Sequence, residues 1–384
     1  MKTLSLLPQT LAFAFCSTAI MPSVHGALNN QRWRTIQESA AAVGFDSNIY
    51  GSASDELADG FLALSHGITV GRKNSLTRMD LSGNVASTWY LSEHDANILD
   101  GGLAFNAGYP NDSEDVSFWK AAAYWRTQHE IDYRVAQRLQ TVSYGTSISG
   151  EWLSSPKLGF TGNIEARVKD RTKAGYNTFR NLRAGLGISH AWRPERRWNA
   201  EYALELGETE PRASRSDKTT SVSHILGIRA RGRLLPKVTG DAFVGIRNST
   251  FSGAYNFSDT GPTALVNITY KASAQLTANI GAFRHYQFSA NGDATQYTAL
   301  TFDMKRNFAR GFSITATVSP AINSYSYADG TRRDQIWTLA AAVDYARTNR
   351  FHAGFSTTWF SNHSDESGYN ASRALVRFYS GLRF

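Results

Sequence analysis

Arginines are the residues of this 384-residue chain with the most chemistry to offer, and several share one parity within their strands. Arg167, Arg183, Arg229, Arg231, Arg247 and Arg377 each stand in a run where apolar and polar residues alternate, and each takes the polar side. Lys120, Tyr124 and Arg126 share one parity of another such run, as do Arg78, Asp80 and Asn84. A guanidinium grips carboxylate or sulfate bidentately, and a tyrosine face can stack on a sugar ring. Glu165, Glu201, Glu205 and Asp241 fall on the same parity, so two uses are open. The charges could guide a solute, or pair between neighbouring strands and stiffen a wall. Glu201 and Glu205, beside Arg183 and the arginines at 229 and 231, read as such a ladder.

Catalytic constellations are weaker. Asn362, His363, Ser364 and Asp365 put amide, imidazole, hydroxyl and carboxylate in sequence. Neighbours in an extended segment point in opposite directions, whereas a nucleophile and its base must converge, so turn chemistry is the better reading. His94-Asp95, His129-Glu130, Asp46-Ser47-Asn48 and the Asp55/Asp59 pair lack the spacing of a zinc or calcium site. Nucleotide-binding glycine loops, zinc-helix motifs and lipase elbows are missing. No enzyme activity, catalytic residue, metal or cofactor is expected.

The elements that carry these residues read as strands of about ten residues with period-two alternation. In the last, Ala374, Val376, Phe378, Ser380, Leu382 and Phe384 share one face, and Leu375, Arg377, Tyr379, Gly381 and Arg383 the other. A two-faced strand ending on an aromatic residue suits recognition by outer-membrane assembly machinery through Phe378, Leu382 and Phe384. Trp89, Trp119, Trp152, Trp192, Trp198, Trp359 and Phe384 sit near strand ends, where a lipid-interface girdle needs them. Short turns at 347–350, 307–310, 271–273, 233–237 and 193–197 alternate with longer polar stretches at 362–371, 324–334, 289–295, 249–261 and 208–218. That asymmetry predicts an all-β fold: a transmembrane antiparallel up-and-down β-barrel, with short periplasmic turns and longer extracellular loops. Segment counting gives about 18 strands, with 16 as the alternative. A barrel of that size leaves an aqueous channel unless loops fold inward.

Composition agrees. The chain is 42% apolar yet has a mildly negative mean hydropathy. Helical spans need about 20 consecutive apolar residues; a barrel dilutes its apolar face with a polar one. Residues 1–26 read as a cleaved secretory signal, with Lys2, an apolar core over 4–15 and a cleavage site at Val24-His25-Gly26. The only cysteine, Cys16, leaves with it, and 27–384 form one barrel domain. Without Lys2 the balance is 39 basic against 32 acidic residues, or +7. No nucleic-acid recognition motif accompanies that charge; a lumen that attracts anions is the preferred reading.

Two regions resemble a known family. Val43-Gly44-Phe45-Asp46-Ser47-Asn48-Ile49-Tyr50, followed by Ser54-Asp55, is similar to the opening strand and aromatic-Asp-x-Asn turn of the exopolysaccharide-type barrel porins, beta-barrel porin family two. Gly368-Tyr369-Asn370-Ala371-Ser372-Arg373, leading into Gly381-Leu382-Arg383-Phe384, is similar to its close. Ser47 departs from the pattern, where a second acidic residue is common. The resemblance implies export of capsular or extracellular polysaccharide, with periplasmic co-polymerase and export proteins as partners.

The expected function is therefore an outer-membrane channel for polysaccharide export, surrounded by outer-membrane lipids. Lys120, Arg126, Arg183, Arg229, Arg231 and Arg247 would be electrostatic guides, and Tyr124 and Tyr379 stacking surfaces. The alternative is a diffusion porin for small anionic solutes or sugars, with a constriction loop supplied by 128–140 or 249–261. A lipid- or peptide-modifying enzyme and a purely structural or adhesive barrel are further readings.

Overall fold

The computed structural model describes residues 33–384 except 74–75, 110–116, 133–136, 173–175, 194, 211–217, 254–255, 289–293, 328–329 and 347–349. The signal segment and Cys16 lie outside the described residues. Eighteen strands form one sheet. The first six are β1 Trp33–Asp46, β2 Asp59–Lys73, β3 Arg78–Tyr90, β4 Ile98–Tyr109, β5 Phe118–Asp132 and β6 Gln137–Leu153. Next come β7 Leu158–Arg171, β8 Thr178–Arg193, β9 Arg196–Glu210, β10 Thr219–Leu235, β11 Val238–Ser252 and β12 Phe257–Lys271. The last six are β13 Leu276–Phe288, β14 Ala294–Asn307, β15 Phe312–Tyr327, β16 Gly330–Ala346, β17 Phe351–Ser364 and β18 Ala371–Arg383.

Each strand pairs antiparallel with the next, and β1 pairs with β18 from Glu38↔Arg383 to Asp46↔Leu375. Closure removes both sheet edges, so every wall backbone group can find a partner without water, as a bilayer requires. Pairing keeps side-chain parity in phase around the ring. Val43, Leu62, Trp89, Leu103, Trp125, Tyr144 and Ile164 are among the large side chains exposed on the outer face. Asp46, Asp100, Ser143, Glu151, Arg167, Asn199 and Arg247 are buried on the inner one. All seven aromatics assigned to the girdle are exposed, from Trp89 at 40% to Trp192 at 70%. A closed barrel with an apolar exterior, aromatic ends and a polar interior is an outer-membrane β-barrel.

The count of 18 is as read, but the loops are not. Most of 249–261 lies in β11 and β12, and most of 324–334 in β15 and β16, leaving two undescribed residues between Tyr327 and Gly330. Those polar stretches are strand extensions: above the bilayer both faces of a strand meet water or protein, so apolar alternation stops while pairing continues.

The barrel closes where residues 46–48 meet 372–374. Arg373 Nε donates to Asp46 at 2.8 Å, and Ala374 N donates to Ser47 Oγ at 2.7 Å. Asn48 Nδ2 donates to the carbonyls of Ser52 and Ser372. The aromatic-Asp-x-Asn turn thus fastens β1 to β18, and Ser47 takes a structural part in that seam. Asp46 is fully buried and also meets Tyr90 and Arg138, so its oxygens are already occupied.

Candidate functional site: a constricted basic lumen

Two segments leave the wall and fold into the lumen. The first is the β5–β6 hairpin. The β4–β5 ladder stops at Gly101↔Thr127 and the β6–β7 ladder at Thr141↔Arg171, while β5 and β6 continue together to Asp132↔Gln137. Beyond those ladder ends the hairpin touches wall strands about a quarter of the way round the barrel. Ile131 is buried with Phe360 of β17 and Ala371 of β18. Arg138 donates to the Ala96 carbonyl and the Tyr90 hydroxyl, and lies 3.7 Å from Asp46. Five strand spacings separate β18 from β5, roughly 24 Å of wall at about 4.8 Å each. Contact across that span requires the hairpin to lean inward over part of the mouth. Lys169–Glu130 at 3.1 Å and Arg171–Asp132 at 3.6 Å hold its base. Tyr176, in the β7–β8 connection, donates to Gln137, and burial together with the Asp132 charge pushes its phenol above the ordinary range.

The second departure lies at β12–β13, whose ladder stops at Ala264↔Arg284 although both strands run on. Phe288 of β13 reaches Phe179 of β8, with ring centroids 5.5 Å apart, again across five strand spacings. Phe251 stacks on Phe257 and meets Phe288 edge-on, closing an aromatic cluster with Tyr286. Both stretches named in the sequence reading, 128–140 and 249–261, adjoin these constrictions. Of the first, 128–132 and 137–140 belong to the inward fold. In the second, 249–252 and 257–261 remain wall strands, and the β13 end leans onto them.

Below these crossings the wall is strongly basic. His285 of β13 lies within electrostatic reach of Arg247, Glu205, Arg167 and Arg183, which come from four other strands. Arg247 is held by Glu205 at 3.0 Å and bonds Ser223 and Ser249. Arg167 pairs with Glu165. Arg284 bonds Gln296, whose amide donates to the Tyr286 hydroxyl.

All eight side chains proposed to line the lumen have inward parity, but their surroundings differ. Arg229 is held between Glu201 at 2.8 Å and Asp241 at 3.1 Å. Arg231 is bonded to the buried Glu151, which also holds Arg197 and Ser189. With Arg247 on Glu205, three of the six basic residues belong to ion pairs, the stiffening role. Lys120, Arg126 and Arg183 make no direct ion pair among the described residues, although Arg183 stands opposite Glu165 and Glu205 on its two ladders and its charge acts on Glu205. Lys120 sits 4.9 Å over Phe118 and Arg126 5.6 Å over Tyr124, while the buried Nε atoms of Arg126 and Arg183 lack any acceptor. The Tyr379 hydroxyl is bonded to Asp344, which ties that ring to the wall. Phe378, Leu382 and Phe384 make the expected outward stripe.

The hydroxyl-imidazole-carboxylate run does not converge. Ser364 Oγ donates to Asp334, Asp365 accepts from the Arg333 amide, Asn362 donates to the Tyr369 carbonyl, and His363 is exposed. The residues missed from sequence are Arg138, Arg284, Tyr286 and Phe288. They stand on the outward parity, yet touch the interior because their strands have left the wall. Their signal is a polar or charged side chain on the lipid-facing parity.

No protein-family model matches the sequence, and no curated protein does. Among solved structures the chain is similar to OccAB4 of Acinetobacter baumannii, at 10% identity over 92% of this chain and 98% of that one, TM-score 0.46. It is similar to the outer membrane protein OpdK of Pseudomonas aeruginosa, at 10% identity over 92% and 98%, TM-score 0.44. A bacterial polysaccharide outer membrane secretin aligns at 12% identity over 91% and 98%, TM-score 0.37. At these values the likenesses say nothing of what this chain conducts; its class rests on its own closed, apolar-walled barrel.

Proposed function

We propose that this barrel is an outer-membrane diffusion channel for small anionic solutes. The observation that carries the reading is the β5–β6 hairpin, folded over part of the mouth with Ile131 buried against Phe360 and Ala371. A hydrated polysaccharide needs an unobstructed lumen with weak, repeated contacts, and a lumen narrowed from two sides suits small solutes better. Charge supports the sign. Arg126 and Arg183 make no direct ion pair among the described residues, although Glu205 offsets part of the Arg183 charge, and a low-dielectric constriction focuses the field that remains. Lys120 adds to it nearer the periplasmic end.

The test is reconstitution of the purified barrel in a planar bilayer under a salt gradient. A reversal potential of anion-selective sign, shifted by small organic acids, is the expected result. Cation selectivity or no conductance rejects the reading. An in-frame deletion, assayed for polysaccharide outside the cell and in the periplasm, addresses export directly. Loss outside with retention inside would restore export as the function.

A further inference from the structure

Where the β5–β6 hairpin leaves β4, it opens a cavity on the lipid side of the wall. Ile98, Leu99 and Asp100 stay paired with β3, but face no ladder partner on β5. The space measures about 580 Å³ and is walled by Val85, Leu99, Leu103 and Trp125, with Asp100 and His129 at its inner end. Leu99, Leu103 and Trp125 belong to the exposed outer face, so the cavity is continuous with the surface that meets lipid.

Its inner end is chemically unfinished. Asp100 is 8% exposed. Its Oδ1 accepts from the His129 amide and meets His129 Nδ1, both at 2.8 Å. Oδ2 has no partner among the described residues, and no lysine or arginine pairs with this carboxylate. A mostly buried carboxylate whose one potential cationic neighbour is a histidine, and whose second oxygen is left over, favours a guest that supplies charge and donors. Apolar walls ending in an acceptor-only anion describe one kind of guest.

We propose that this cavity binds an amphiphile bearing a primary ammonium, its chain along Leu99, Leu103 and Trp125 and its nitrogen on Asp100. The guest enters from the bilayer side, through the gap between β4 and β5, and never passes the constricted lumen. The site is therefore separate from the proposed anion pathway.

The experiment is photolabelling of the folded barrel in a neutral detergent with a long-chain alkylamine carrying a diazirine on its chain. Labelled peptides are mapped by mass spectrometry. Saturable labelling within 99–103 and 125–127 is expected, with the chain-matched alcohol labelling those peptides far less. Asp100→Asn should lower the amine signal about tenfold, the loss of one charge-assisted hydrogen bond. Equal labelling by amine and alcohol would reduce the site to ordinary lipid contact and overturn the proposal. Displacement by a short soluble diamine at matched concentration would overturn the amphiphile. Undiminished labelling of Asp100→Asn would overturn the contact. Should that variant fail to run as a folded, heat-modifiable band, Leu99→Trp serves, because it fills the cavity from the lipid side and leaves Asp100 intact; labelling that survives it overturns the proposal.

Discussion

Arginines of one parity part company once their neighbours are known. Arg229 bridges Glu201 and Asp241, so its removal strands two partly buried carboxylates. Arg229→Gln should cost about 2–3 kcal/mol, below the figure for a fully buried pair because both carboxylates keep some water. The denaturant midpoint of the heat-modifiable band reads this out, and anion selectivity should change little. Arg126→Gln with Arg183→Gln should do the reverse. Neither residue makes a direct ion pair among the described residues, so folding is retained while the anion-to-cation permeability ratio drops several-fold. Unchanged selectivity in that double variant would exclude the two arginines as the charge filter.

Among the elements, the β5–β6 hairpin carries the most consequence. It gives up pairing with β4 and β7 and recovers contacts at Asp46, Tyr90, Phe360 and Ala371. A shortened variant lacking 129–139 should still close its barrel, because the ladders up to Thr127 and from Thr141 remain. Its single-channel conductance should rise several-fold. Equal conductance would place the narrowest point at the Phe179–Phe288 crossing instead. The β1–β18 seam is the other element to test. Asp46→Asn removes the charge shared by Arg373 and Arg138, and should cost about 3 kcal/mol while loosening seam and hairpin together.

For the whole molecule, the surplus of positive charge sets a salt dependence. The screening length falls from about 10 Å at 0.1 M to 3 Å at 1 M. Anion selectivity should therefore decline steeply over that range if lumenal fields produce it, as reversal potentials taken at several salt concentrations will show. Selectivity that is flat with salt would indicate a steric filter made by the two inward folds.

The sequence by itself determined the barrel, a count of 18 or 16 strands, the outward aromatic stripes and the inward parity of Lys120, Tyr124, Arg126, Arg183, Arg229, Arg231, Arg247 and Tyr379. Period-two alternation is local, and a bilayer outside with a polar lumen inside imposes it on every strand. Tertiary structure alone decided which charges are committed. Arg231 meets Glu151 from four strands away, a pairing that depends on how tightly the wall curls. It also decided that 128–132 and 137–140 lean over the mouth and that Asp46, Ser47 and Asn48 form a seam with Ser372, Arg373 and Ala374. Arg138 and Arg284 carried a faint trace of the inward folds, since a charge on the lipid-facing parity costs about 2–4 kcal/mol at the bilayer midplane. Parity names a face; it cannot tell when the strand has turned that face toward protein.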